Sequence, residues 1–284
     1  MIALYGNSKQ GDNLAKLGRL FDMLEERGKE IIIHHRFADY LTEHQLWRPS
    51  MKSARVLPPE VTMLISLGGD GTFLRTAAWA KGREIPVMGI NTGHLGFLAG
   101  FTLSRFDEIE RALDGAYDIS PRITLQVEST ELPEDFDSYA LNEISVVKGD
   151  TTSMVDIQAY LNGTYLANYL ADGVVVSTPT GSTAYNLSCG GPILQPGIGD
   201  MLITPIAPHS LTLRPLVLGE DSILRLEVST RGSECHIGVD GKTFAVPNGT
   251  VLIITKSKRR VFVAQPKGTD FIGVLRDKLR WGQR

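Results

Sequence analysis

Gly68-Gly69-Asp70-Gly71 is a turn whose residue types could carry out phosphoryl chemistry. Glycines permit backbone angles that a side chain forbids, and the free N–H groups at the start of a following helix favour an anionic ligand. Asp70 is the odd member. A carboxylate aimed at a phosphate site repels it, unless it binds a metal ion or takes a proton from an attacking hydroxyl. The combination implies phosphoryl transfer to an alcohol, with Asp70 as the catalytic group and Gly68 and Gly69 holding donor phosphate.

A second glycine turn, Asn91-Thr92-Gly93-His94-Leu95-Gly96-Phe97, also follows a strand-like run. Two such loops at neighbouring strand ends face one crevice, where open α/β sheets bind ligands. Gly93 and Gly96 join the donor-phosphate set, and Phe97 either offers a flat face to a nucleobase or belongs to the core. His94 reads as structural. Arg75, one turn into the next helix, is a candidate phosphate contact or a solvated helix residue. Neither common nucleotide fingerprint fits. Leu74 stands where a dinucleotide turn needs its third glycine, and the phosphate-loop spacing from Gly6 to Gly11 is followed by Asp12 in place of lysine.

Further along, Asn142-Glu143 is a polar pair in a strand-like segment. An asparagine amide can pair with adenine and a glutamate can accept from ribose hydroxyls, although a strand end would also explain them. Asp172-Gly173 precedes a strand, and then comes Thr178-Pro179-Thr180-Gly181-Ser182-Thr183-Ala184-Tyr185-Asn186-Leu187-Ser188, closing in Gly190-Gly191-Pro192. So dense a run of small hydroxylated residues reads as outside the core, as a helix N-terminus lined with donors for ribose and phosphate.

These residues need elements to position them. Strands are predicted at 2–5, 30–34, 61–67 and 86–90. Helical spacing links Leu14, Leu17, Leu20, Phe21 and Leu24, and recurs over 72–81. That alternation predicts a parallel sheet with helices on its faces. After about Asp118, strand-like runs follow in quick succession at 123–127, 143–147, 155–161, 174–177, 223–228, 236–239 and 251–255, with hairpin turns at Asn162-Gly163 and Asp240-Gly241. Residues 1–118 are therefore expected to form an α/β domain and residues 119–284 a β-rich domain, whose helical stretch 271–281 packs back on the first.

The 284 residues suffice for two ordinary domains, and a net charge of −3 argues against broad nucleic-acid binding. The basic cluster Lys256, Lys258, Arg259 and Arg260 lacks interleaved aromatics and reads as a solvated edge. No apolar run approaches the ~18 residues of a membrane span. Met1 to Tyr5 enters a strand at once, so a cytoplasmic protein without a cleaved leader is expected. Cys189 and Cys235 are too few for a disulfide framework, and no His-Glu-x-x-His or Cys-x-x-Cys spacing suggests zinc.

Taken in order, Gly68 to Gly71, Asn91 to Phe97, Asn142-Glu143 and Asp172 through Gly191 resemble the NAD kinase family. The likeness continues through Pro208-His209-Ser210-Leu211 and Arg214-Pro215-Leu216 and covers most of the chain from Ile2 to about Lys267. The resemblance implies an N-terminal α/β domain with a parallel sheet plus a β-rich C-terminal domain, the two-domain fold shared with diacylglycerol kinases. It implies transfer of a phosphoryl group from ATP, or another triphosphate or polyphosphate, to the 2′-hydroxyl of the adenosine ribose of NAD. Asp70 would be the catalytic carboxylate, and Mg²⁺ would accompany the donor, with no residue assigned as its ligand. Gly71, Leu74, Arg75, Phe97, Asn142, Glu143, Asp172, Thr183, Ala184, Tyr185, Asn186 and Ser188 would lie on the substrate side. Family members assemble as homodimers or homotetramers, with no membrane or nucleic-acid partner.

One departure is Leu170, where many bacterial relatives carry a basic residue. Its absence removes a charge that would discriminate NAD from NADH, and predicts that NADH is accepted within roughly tenfold of NAD. Two other readings compete: a lipid kinase of the diacylglycerol or sphingosine type, which the polar 178–188 run disfavours, and a non-catalytic dinucleotide sensor, which the retained Asp70 disfavours.

Overall fold

A computed structural model describes residues 1–93, 96–134, 136–149, 153–232 and 234–282. The chain divides into two compact units, Met1–Pro121 with Val261–Arg284, and Arg122–Arg260.

In the first unit, apolar runs buried on both faces form parallel strands, as expected where helices cover a sheet. Ile2–Gly6 lies between Met63–Leu67 and Ile31–His34; Pro86–Asn91 extends the sheet beyond Met63–Leu67, and Met51–Ala54 closes the other edge. Residues 262–264 of the long strand Val251–Pro266 pair in parallel with Pro86–Asn91. Helix Leu14–Glu26 buries Leu17, Leu20, Phe21 and Leu24 of the predicted stripe in the core, and Leu14 is partly buried against it. All the strands the sequence predicts here are present.

Several elements of this unit were not legible, among them one strand and two helices. Met51–Ala54 has no strand-like pattern and is held by its pairing with Ile31–His34. Helix His35–Glu43 starts without a conventional cap residue, His34 Nδ1 accepting from the Arg36 N–H at 3.3 Å. Helix Phe106–Leu113 also forms. The helix predicted over 72–81 runs from Asp70 to Trp79, so Asp70 belongs to its first turn.

The second unit contains an antiparallel six-stranded sheet in the order Leu216–Leu218, Met201–Ile206, Gly173–Ser177, Glu143–Lys148, Glu234–Val239, Lys242–Pro247. Facing it, Thr164–Ala171, Val155–Leu161, Leu224–Thr230 and residues 251–254 are also antiparallel. Alternate residues of both layers, among them Ile144, Val146, Val174, Val176, Val155, Ile157 and Leu226, share one buried core. Both predicted hairpin turns form, Asn162 and Asp240 taking φ of 50° and 47°. Positive φ at the first turn residue matches the twist of the flanking strands.

The basic cluster is more tied down than a solvated edge. Lys256 pairs with Glu220, and Arg259 stacks 3.5 Å from the Tyr139 ring centroid while approaching Asp137. Among the described residues no helix is long and apolar enough to cross a membrane.

Candidate active site

Asp70 is placed by two loops of the first unit. Strand Met63–Leu67 delivers the chain into Gly68, whose φ of 151° suits glycine, and a Cβ there would strike Thr72 Oγ1 and Asn7. The Gly68 N–H donates to Ile90 O at 3.0 Å, joining this turn to the strand that leads into the second loop. The Asp70 carboxylate then reaches that loop. Oδ2 accepts from the Phe97 N–H at 2.7 Å, and Oδ1 accepts from the N–H groups of Leu98 and Ala99 at 3.0 and 3.2 Å.

Three consecutive backbone donors hold the carboxylate in one orientation. The N–H groups of Gly69, Asp70 and Gly71 have no acceptor among the described residues, whereas those of Thr72 and Phe73 donate to Gly69 O at 2.9 and 3.1 Å, and Gly71 is exposed. Leu74 is half-buried, Arg75 exposed and Phe97 half-buried. In the second loop, Gly93 N–H donates to Asn91 Oδ1 at 2.6 Å; His94 and Leu95 lie outside the described residues.

The segment spaced like a phosphate loop, Gly6 to Gly11, has a different job. Gln10 is buried and donates to Leu67 O at 3.1 Å, and Asn13 donates to Thr92 O at 2.6 Å, so this segment braces both glycine loops.

A second constellation occupies the second unit. Asn142 and Glu143 lead into a strand whose register sets Glu143 opposite Ser177. Their backbone is clamped by Asp240, whose carboxylate accepts from the N–H groups of Leu141, Asn142 and Glu143 at 2.7, 2.8 and 3.2 Å. Asp240 was legible only as a hairpin turn residue, because nothing in an Asp-Gly pair reveals a clamp on a segment about 100 residues upstream.

Glu143 accepts from the Tyr185 backbone N–H, while its Oε2 is buried with no hydrogen-bond partner among the described residues. Burial, and then the neighbouring Asp240, push Glu143 up to about 7. Burial likewise raises Asp240 to about 6, against the pull of its three N–H donors. Tyr185 is exposed and lies within electrostatic reach of Cys189, Asp172 and Glu143; burial of its hydroxyl is the main cause of its raised pKa. Asp172 sits at the other end of its strand, paired with Lys148 at 2.7 Å.

The run 178–188 departs from expectation. Thr178, Ser182 and Asn186 are fully buried, so small hydroxylated residues here do form interior. Their polar atoms are satisfied by the chain itself: Thr178 Oγ1 donates to Leu141 O, Ser182 Oγ to Pro179 O, and Thr183 Oγ1 to Thr180 O. In place of a helix N-terminus there is a 3₁₀ turn, Gly181–Thr183, and one helical turn, Tyr185–Ser188. Asn186 donates to Ser182 O and Pro192 O and accepts from Thr204 Oγ1, so its amide braces the loop and is committed on both sides. Ser188 is exposed, and Thr183 and Ala184 are half-buried.

The family model for the ATP-NAD kinase N-terminal domain matches residues 17–118, and the one for the ATP-NAD kinase C-terminal domain matches residues 141–265. The chain belongs to the NAD kinase family. It is 39% identical over 288 residues to an NAD kinase of Flavobacterium johnsoniae, covering 99% of this chain and 98% of that protein. It is 40% identical over 283 residues to an NAD kinase of Porphyromonas gingivalis, with the same coverage. Its fold resembles that of yeast NADH kinase complexed with NADH (TM-score 0.83, 22% identity, 100% of this chain and 88% of the other). An NAD kinase from Archaeoglobus fulgidus in complex with ATP gives a TM-score of 0.71 at 24% identity, covering 94% of each chain. These findings do not favour the lipid-kinase and sensor readings.

Proposed function

We propose that this NAD kinase family enzyme transfers the terminal phosphoryl group of ATP to the 2′-hydroxyl of the adenosine ribose of NAD, yielding NADP, with Asp70 as the catalytic carboxylate. The observation that carries the reading is the Asp70 carboxylate fixed by the N–H groups of Phe97, Leu98 and Ala99 inside a turn where the N–H groups of Gly69, Asp70 and Gly71 have no acceptor among the described residues.

Phosphoryl transfer runs through a loose transition state, so positioning and charge stabilisation dominate. Asp70 orients the ribose hydroxyl and accepts its proton late in the transfer. Its three donors keep it from swinging. The N–H groups of Gly69 to Gly71, with Gly96, hold the donor's phosphates, whereas the N–H groups of Gly68 and Gly93 are committed to Ile90 O and Asn91 Oδ1 and do not serve as expected. Glu143 Oε2, buried and unpartnered, is suited to a ribose hydroxyl, and Asn142 to the base edge. Asp172, Thr183, Ala184, Tyr185 and Ser188 complete the dinucleotide contacts in this reading, whereas Asn186 serves the loop.

Among the described residues no group of three or more His, Cys, Asp or Glu could cage a metal ion. Mg²⁺ belongs in this reading to the Mg–ATP substrate, and the protein's own groups act on the hydroxyl and the phosphates. A cytoplasmic location and assembly as a homodimer or homotetramer are part of the same proposal; light scattering on the eluting protein tests the latter.

The deciding experiment measures ATP consumption with NAD, NADH, diacylglycerol or no acceptor. Turnover confined to the dinucleotides, with NADP as product, is expected. Consumption with diacylglycerol, or with no acceptor alone, overturns the reading.

A further inference from the structure

The C-terminal helix Phe271–Leu279 carries a lysine where a buried face should be apolar. Asp270 caps this helix, accepting from the Ile272 and Gly273 N–H groups at 3.2 and 3.0 Å, and Leu275 is buried. Lys278 lies three residues on, the spacing that sets two side chains on one face. Its ammonium is 6.0 Å from the centroid of the Phe97 ring, on the very loop that holds Asp70.

Lysines in a last helical turn ordinarily bond the free carbonyls there or reach water. Lys278 does neither, since Nζ is buried and makes no hydrogen bond among the described residues. Asp70 and Asp277 are the negative charges that it senses. Burial depresses its pKa, and those two carboxylates oppose the depression. A desolvated ammonium with three unused donors costs the fold free energy unless an anion completes it. Asp70 makes no hydrogen bond to Nζ, its carboxylate being held toward the N–H groups of Phe97, Leu98 and Ala99.

We propose that Lys278 is a further residue of the phosphoryl-donor site, its ammonium binding the terminal phosphate of the donor beside Asp70. This rests on the NAD kinase reading. The ribose hydroxyl is neutral, whereas the terminal phosphate carries the charge that an ammonium recognises. Neither glycine turn contains the lysine that a phosphate loop would use, and Asp12 stands in that place after Gly11. A lysine supplied from the far end of the chain fills that role.

The test compares direct binding of a non-hydrolysable imido analogue of ATP, of ADP and of NAD to the wild type, Lys278→Met and Lys278→Arg by calorimetry with Mg²⁺ present. Lys278→Met is expected to weaken the triphosphate analogue at least ~10-fold and ADP less than ~3-fold, with NAD affinity unchanged, and Lys278→Arg to restore most of the loss. Analogue binding within twofold of wild type in Lys278→Met overturns the inference. So does an equal loss for all three ligands with a lowered melting temperature, which marks a structural lysine. Absence of NAD-dependent turnover in the wild type would instead overturn the parent reading, and the binding comparison would still decide on Lys278.

Discussion

Gly96 lies so close to Asp70 that a Cβ at Gly96 would overlap both carboxylate oxygens. The glycine is required here by close approach, which lets the following N–H groups of Phe97, Leu98 and Ala99 converge on the carboxylate. Gly96→Ala must therefore displace Asp70 or open the loop. Turnover is expected to fall at least ~10²-fold, since a misplaced base loses most of its contribution, while NAD affinity changes less than ~3-fold. Steady-state kinetics beside calorimetry check this, and near wild-type turnover would contradict the placement.

Asp70→Asn replaces one carboxylate oxygen by an amide NH₂, and whichever way it turns, a donor faces a backbone N–H. The expected cost is about 1–2 kcal/mol of stability together with at least a ~10²-fold drop in turnover and retained NAD binding. Activity within a few-fold of wild type would remove Asp70 from catalysis.

Glu143 and Asp240 make the fold pH-sensitive in a defined direction. Both folded pKa values are raised, to about 7 and about 6, so the folded protein binds protons more tightly than the unfolded chain. Their joint contribution is most favourable below the ordinary carboxylate range and is lost as pH rises through about 6 and 7. Glu143→Gln should flatten that fall and stabilise the protein at pH 8 by about 2 kcal/mol, while weakening NAD. Urea unfolding across pH 5 to 8 reads the slope; an unchanged slope would show that Glu143 is not the titrating group.

Asp240→Asn keeps a residue that tolerates the positive φ of the turn but removes charge from the clamp on Leu141, Asn142 and Glu143. NAD affinity should drop by roughly tenfold as the clamped backbone loosens, and the Glu143 titration should move to lower pH, because the Asp240 charge is one cause of its elevation. Asn142→Ala and Glu143→Ala should each weaken NAD by roughly 1–3 kcal/mol without a matching loss of stability. Unaltered NAD affinity in all three variants would leave this segment a structural one.

Leu170 is 37% exposed and stands opposite Asp156 in an antiparallel pairing, and Asp156 Oδ1 is buried without a hydrogen-bond partner among the described residues. Paired residues of antiparallel strands share a face, so an arginine at 170 is drawn first to Asp156. The wild type is expected to use NADH within roughly tenfold of NAD, and Leu170→Arg to stabilise the fold by about 0.5–1 kcal/mol while shifting the NAD to NADH preference less than ~3-fold. Complete rejection of NADH by the wild type would contradict the first expectation, and a large shift of preference in the variant the second.

Local signals in the sequence determined the elements that carry the two glycine loops, because apolar runs bounded by glycine turns are decided within a few residues. The same holds for the hairpin at Asp240-Gly241 and for the choice of Asp70, whose charge is anomalous in its own turn. Tertiary structure alone decided what those residues touch. That Asp240 holds the backbone of Asn142 and Glu143, that Asn186 and Ser182 are interior braces, and that Lys278 returns from the last helix to Phe97 all follow from long-range packing. A buried hydroxyl or carboxylate is tolerated only when distant segments complete its hydrogen bonds. Spacing along the chain carries no record of which distant segment will do so.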